Sequence, residues 1–222
     1  VLSVTLRYDL VVFDFDGTLA DSLTWFRTVL SELLEHHGLP PLTLDEAEAL
    51  RGLPPKDIMT QLAIPAWKIP LIAADVRQRA TDNADQIALY DGIADLIDAL
   101  AETGIQIAVV SSNGEAAVRA VLGPELTAKI DQFACGAALF GKASIFRKVA
   151  RRAKTVPART ICIGDEVRDI EAAREAGCDC GAVSWGFATP DILKVSEPDY
   201  LYAKTSEIRT SVLTQLEEAQ SA

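Results

Sequence analysis

The chain moves between two hydrophobic rhythms. Short continuous apolar runs occur at residues 10–15, 105–110, 160–163, 181–184 and 200–202, with a weaker one at 133–135. Uninterrupted runs of this length suit strands covered on both faces. Between them, apolar positions recur at intervals of three and four. In "GIADLIDALAET", residues 92–103, Ile93, Leu96, Ile97 and Leu100 fall on one face and Gly104 follows as a stop. Residues 143–153 and 169–176 read as helices in the same way, the second closed by Gly177. Strand and helix in alternation predict an α/β fold built on a doubly wound parallel sheet.

One stretch departs from the alternation. Residues 21–86 carry helical signals only. Residues 23–37 are amphipathic, with Asp21 or Ser22 as cap and Gly38 as stop. "TLDE", residues 43–46, has the form of a capping box, and Pro54-Pro55 and Pro65 open further helices. The expected organisation is an α/β core of residues 1–20 and 87–222, with a small all-helical cap, residues 21–86, inserted directly after the first strand. Segments near Ala20 and Tyr90 would then act as hinges. The terminal "TQLEEAQSA" reads as a fraying helix end.

Composition narrows the class. Of 222 residues 49% are hydrophobic and 24% charged, which predicts a packed core rather than disorder. The net charge is −11 and the pI near 4.7. Read as an acidic chain without a Lys/Arg cluster, it is expected to bind neither nucleic acid nor an anionic membrane. A small phosphate ester is compatible, because a local metal inverts the field. The sequence shows no apolar run of spanning length and no leader pattern. Cys135, Cys162, Cys178 and Cys180 form no CxxC pair, so reduced thiols in a cytoplasmic protein are expected.

The candidate chemistry begins at "VVFDFDGTLADS", residues 11–22, where an apolar strand ends in Asp14 and Asp16. Burying carboxylates is costly, so the pair must gain something at the strand end. Parallel sheets bind ligands at the carboxyl ends of their strands. After successive strands come Asp14, Asp16 and Thr18; then Ser111, Ser112 and Asn113; then Lys142; then Asp165, Glu166 and Asp169. Carboxylates, hydroxyls and one ammonium are the set that phosphoryl transfer with Mg²⁺ uses. "GAALFGKAS", residues 136–144, matches G-x-x-x-x-G-K, but Ala143 stands where a nucleotide P-loop places its Mg²⁺-holding Ser or Thr.

"DFDGT", "VVSS", Lys142 and "GDEVRD", in that order, resemble the four motifs of the haloacid dehalogenase superfamily of phosphohydrolases. The insert after the first motif is similar to the helical-cap subgroup of phosphoglycolate phosphatases and β-phosphoglucomutases. The resemblance spans nearly the whole chain. It implies a Rossmann-like core and a Mg²⁺-dependent phosphatase acting on a small phosphomonoester, of phosphoglycolate or sugar-phosphate type. It implies Asp14 as a nucleophile that forms an aspartyl-phosphate, and Asp16 as acid and base, with a backbone carbonyl on the metal. The family's dehalogenases lack an acid/base aspartate at that position. Ser111 would contact the phosphoryl oxygens. Ser112 and Asn113 are rivals for that contact, or cap the helix after Gly114. Thr18 would touch substrate or steady the turn at Gly17, and Lys142 would neutralise phosphate charge. Asp14, Asp16, Asp165 and Asp169 form the implied metal set, although Asp169 could instead orient Lys142 or face the helix dipole. Glu166 would support these groups or be solvated. Arg51, Gly52 and Lys56 resemble the subgroup's substrate-reading loop, or are solvated charges of the insert. His36 and His37 suit a dipole contact at a helix end, and Trp185 and Phe187 suit packing. A phosphomutase of the β-phosphoglucomutase type remains an alternative. So do a phosphonate hydrolase using Lys56 or Lys68 and a non-catalytic member binding a phosphate ligand or partner. The oligomeric state stays open.

Overall fold

Leu10–Asp14 forms β1, and all five of its residues are buried. Its place in the middle of a sheet requires apolar side chains on both faces. A computed structural model of the chain describes residues 6–50, 53, 55–136 and 141–213. After β1 come α1 (Ser22–His36), α2 (Leu44–Ala49), α3 (Pro55–Gln61), α4 (Ile69–Asp82) and α5 (Ile93–Glu102). Then follow β2 (Gln106–Val110), α6 (Glu115–Thr127), β3 (Gln132–Ala134), α7 (Lys142–Arg152), β4 (Thr160–Gly164) and α8 (Val167–Ala176). The described chain closes with β5 (Asp179–Val183), α9 (Pro190–Val195), β6 (Tyr200–Tyr202) and α10 (Thr205–Val212). Among the described residues the strands form one parallel sheet in the order β3-β2-β1-β4-β5-β6. The fold is therefore the doubly wound α/β architecture.

The period of two along a strand decides which face each residue serves. Val11 and Phe13 join Ile107, Val109, Ile161 and Ile163 on the face covered by α5, α6 and α10. Leu10 and Val12 join Ala108, Val110 and Cys162 on the other face, against Phe146 and Val149 of α7 and Ile170 and Ala173 of α8. Asp14 shares parity with Leu10 and Val12, so its side chain belongs to the α7–α8 face. The order reverses between β1 and β4, and a ligand crevice of such a sheet opens at that switch.

The chain leaves β1 for α1 at Ala20 and returns from α4 at Leu89, and these two residues form an antiparallel bridge. The Asp21 amide donates to the Ala88 carbonyl at 2.8 Å and the Tyr90 amide to the Leu19 carbonyl at 3.0 Å. Asp21 caps α1 by accepting from the Thr24 amide at 3.1 Å. Thr43 and Glu46 form the capping box of α2.

Some expectations shift. The strand read at 181–184 forms two residues earlier as Asp179–Val183, because Asp179 pairs in register with Ile161. Tyr8 and Arg7 satisfy its carboxylate at 2.6 and 2.8 Å. Gly114, rather than Ser112 or Asn113, occupies the N-cap of α6. A basic cluster does exist: no Asp or Glu lies between Asp131 and Asp165. There α7 and the turn after it expose Arg147, Lys148, Arg151, Arg152 and Lys154. The cations in the last turn of α7 complement its dipole. Arg51, Gly52 and the terminal residues 214–222 lie outside the described residues, as does the side chain of Lys56. No helix among the described residues is long and apolar enough to cross a membrane.

Candidate active site

β1 delivers Asp14 to the crevice with only 7% of its surface exposed. Its Oδ1 accepts from the Phe15 amide at 2.9 Å, and its Oδ2 lies 2.9 Å from Lys142 Nζ. Lys142 opens α7 directly after Gly141, whose left-handed backbone (φ +88°) turns the chain into the helix. A cation is unfavourable at a helix N-terminus. Here a second carboxylate compensates, because Lys142 Nζ also reaches Asp169 Oδ1 at 2.5 Å. Asp169 stands in the first turn of α8, where its Oδ2 accepts from the Glu166 amide at 3.1 Å.

Asp165 follows β4 and is 1% exposed. Thr18 donates its hydroxyl to Asp165 Oδ1 at 3.0 Å, and the Phe187 amide donates to Oδ2 at 2.7 Å. Backbone has to pass close to this carboxylate. A Cβ on Gly17 or on Gly186 would overlap Asp165, and a Cβ on Gly164 would overlap the Asp169 carboxyl. Three glycines thus make the room in which two acids sit.

Asp16 is turned toward a different partner. Asn113 Nδ2 lies 3.0 and 2.9 Å from the two Asp16 carboxylate oxygens. The Asn113 amide in turn donates to Ser111 Oγ at 3.0 Å. Ser111 is 2% exposed and directly follows Val110, the register partner of Asp14. Ser112 is half-buried beside it.

The electrostatics set burial against charge at each of these groups. Burial raises the Asp14 pKa; Lys142 opposes the shift and Asp169 adds to it. Burial, then Asp169 and Asp14, hold Asp165 well above the usual carboxylate range. Asp16 is pushed up to about 6, by burial first and then by the Asp14 charge. Burial works against the charge of Lys142, but Asp14 and Asp169 outweigh it and raise its pKa. One ammonium therefore faces an excess of buried carboxylate. Asp14, Asp165 and Asp169 offer oxygens within 4.8 Å of one another. Such an all-oxygen, acid-rich set fits a hard divalent cation.

Arg168, inside "GDEVRD", and two aromatic residues outside the motifs also contribute. Arg168 pairs with Glu166. Burial works against the Arg168 charge, but that partner and the carboxylates behind it outweigh burial and raise the Arg168 pKa. Burial and the same carboxylates raise the pKa of Glu166 against the pull of Arg168. Trp185 and Phe187 do more than pack. The Phe187 amide holds Asp165, and Trp185 Nε1 donates to the Thr18 carbonyl at 3.1 Å. The one hint in the sequence is Gly186 between two aromatics, a sign of close backbone approach.

The family model described as haloacid dehalogenase-like hydrolase matches residues 11–183. A phosphoglycolate phosphatase of Synechococcus elongatus is 28% identical over 207 residues, covering 93% of this chain and 97% of its own length. A tyrosine-protein kinase PtkA of Mycobacterium tuberculosis is 26% identical over 209 residues, covering 91% of this chain and 72% of its own. Among solved structures, a haloacid dehalogenase-like family hydrolase from Streptococcus pneumoniae superposes with a TM-score of 0.77 at 21% identity. It covers 92% of this chain and 98% of its own.

Proposed function

Because the chain belongs to the haloacid dehalogenase-like hydrolases, we propose that it is a Mg²⁺-dependent phosphatase of small phosphomonoesters, of phosphoglycolate or sugar-phosphate type. The observation that carries the reading is the convergence on Asp14. Lys142 lies 2.9 Å from it, and Asp165 and Asp169 offer oxygens within 4.8 Å. The similarity to a phosphoglycolate phosphatase over 93% of this chain supports the substrate class.

Asp14 attacks phosphorus through one carboxylate oxygen and forms an aspartyl-phosphate, which water then hydrolyses. Phe15 and Lys142 hold its two oxygens and so fix the attacking geometry. Asp16, with a pKa of about 6, is poised near neutral pH to give a proton to the leaving alkoxide and take one from the attacking water. Asn113 holds Asp16 on one side until substrate arrives. Ser111 and Lys142 receive the phosphoryl oxygens. Asp14, Asp165 and the Asp16 carbonyl would hold Mg²⁺, with Asp169 supporting through Lys142. The ion would supply charge neutralisation for the phosphoryl group. Thr18 and the Phe187 amide act on Asp165 and keep it aimed. The segment of α1 to α4 serves as a cap hinged at the Ala20–Leu89 bridge, closing to exclude water.

The test is a panel of metabolite phosphates with and without Mg²⁺, run beside Asp14→Asn. Turnover that needs Mg²⁺ and vanishes in Asp14→Asn is expected. Activity retained by the variant, or a protein inert across the panel, would remove the assignment.

A further inference from the structure

The chain has two histidines, and both stand at one place that the phosphatase chemistry does not use. His36 ends α1 and His37 follows it; their rings meet edge to face with centroids 5.2 Å apart. Asp75 of α4 approaches from across the helix pair. His37 Nε2 lies 3.1 Å from Asp75 Oδ2, and one ligand atom from each of His36, His37 and Asp75 falls within 4.8 Å of the others. We infer that His36, His37 and Asp75 form a transition-metal site of the zinc class, with two imidazoles and one carboxylate as ligands.

The geometry accommodates an ion as well as the present His37–Asp75 pair. Ligands of a tetrahedral ion with bonds of about 2 Å stand about 3.3 Å apart, close to the His37–Asp75 separation already present. An ion can therefore replace the shared proton with little movement. His36 is exposed, so its ring can rotate inward and the fourth position stays open to water. The surroundings orient the ligands as outer partners of metal sites do. Arg79 Nε holds the other Asp75 oxygen at 3.1 Å, and its Nη1 is drawn to Glu32 at 3.0 Å. That leaves Asp75 Oδ2 for the ion. Lys68 fixes the backbone by donating to the His37 carbonyl. The donor set also separates this site from the buried acids. Imidazole nitrogen suits zinc, nickel or copper, whereas the all-oxygen centre suits Mg²⁺. An ion at this place would tie the end of α1 to α4 and stiffen that pair of helices.

The test is zinc titration of the whole protein against a chromophoric chelator, in excess Mg²⁺. It is repeated with cobalt, whose visible spectrum reports four-coordination. One bound equivalent is expected, weakened about ten-fold or more in His36→Gln, His37→Gln and Asp75→Asn and unchanged in Asp165→Asn. Zinc should also raise the melting temperature of the parent and fail to raise that of His36→Gln, an exposed position whose change leaves the fold intact. Equal affinity in the parent and in Asp75→Asn would reduce the site to an adventitious histidine pair. Loss of binding in Asp165→Asn would place the zinc in the acidic centre. Either result overturns the inference.

Discussion

Lys142 and Asp14 form a buried ion pair, Nζ to Oδ2 2.9 Å, between the first residue of α7 and the last of β1. Among the described residues Lys142 is the one ammonium paired with both Asp14 and Asp169. Lys142→Met should therefore leave two buried carboxylates without their cation. Breaking such a pair costs about 3–5 kcal/mol. The loss should be large in chelator and smaller in excess Mg²⁺, because an ion held by the proposed acidic set would supply part of the missing charge. Turnover should fall about 10²–10³-fold. Denaturant melts at both metal conditions check this; an equal deficit in each would show that Lys142 does not offset the acids.

Gly186→Ala should act on the metal requirement. A Cβ there would overlap the Asp165 side chain and the Gly17 carbonyl. Asp165 is held by Thr18 and the Phe187 amide, so it cannot retreat without losing those bonds. The expected outcome is a Mg²⁺ titration shifted to at least about ten-fold higher concentration, the scale of a disturbed ligand support. A titration superimposable on the parent's would mean that Asp165 has room the geometry does not show.

Asp16 gives a pH signature in the metal-free protein. Burial and the Asp14 charge raise its pKa from 3.8 to about 6. A pKa raised on folding contributes stability that is full below the unfolded value and is lost as pH rises through the folded value. The parent should therefore become more stable, relative to Asp16→Asn, as pH falls from about 7 to about 4. At pH 7.5 the variant should be the more stable by on the order of 1–3 kcal/mol, with turnover abolished. Urea melts in chelator across this range measure the gap. A gap independent of pH would show that Asp16 carries no folding-linked proton.

How much of this was legible beforehand follows from the range of the signals. Parity along β1 and the crossover rule act over a few residues or through fixed topology. They were enough to bring Asp14, Lys142, Asp165 and Asp169 to one strand edge. The capping box at Thr43 is likewise local. The hold of Asn113 on Asp16, of Thr18 on Asp165 and of the Phe187 amide on Asp165 joins distant segments through side chains or main chain. No periodicity encodes such contacts. The start of β5 is hidden in the sequence for a related reason. Asp179 looks like a loop residue until Tyr8 and Arg7 satisfy it.

Trp185 links the chemistry to the crossing between the sheet and the helical segment. Its indole N–H donates to the Thr18 carbonyl at 3.1 Å, and Tyr90, whose amide bonds the Leu19 carbonyl, lies against its ring at 6.1 Å. Thr18 in turn holds Asp165. These contacts form a continuous path from the crossing to a carboxylate of the acidic centre through one aromatic residue, so a movement at the crossing is expected to reach Asp165. Trp185→Phe keeps the packing and removes the donor, at a stability cost of about 0.5–1.5 kcal/mol. A structural loss alone would leave kcat and KM of the folded enzyme unchanged. Coupling through Thr18 should instead change both together, as hinge substitutions do, and raise the Mg²⁺ demand. Steady-state kinetics at saturating and limiting Mg²⁺ separate the two. Parent-like kinetics at both levels would confine Trp185 to packing.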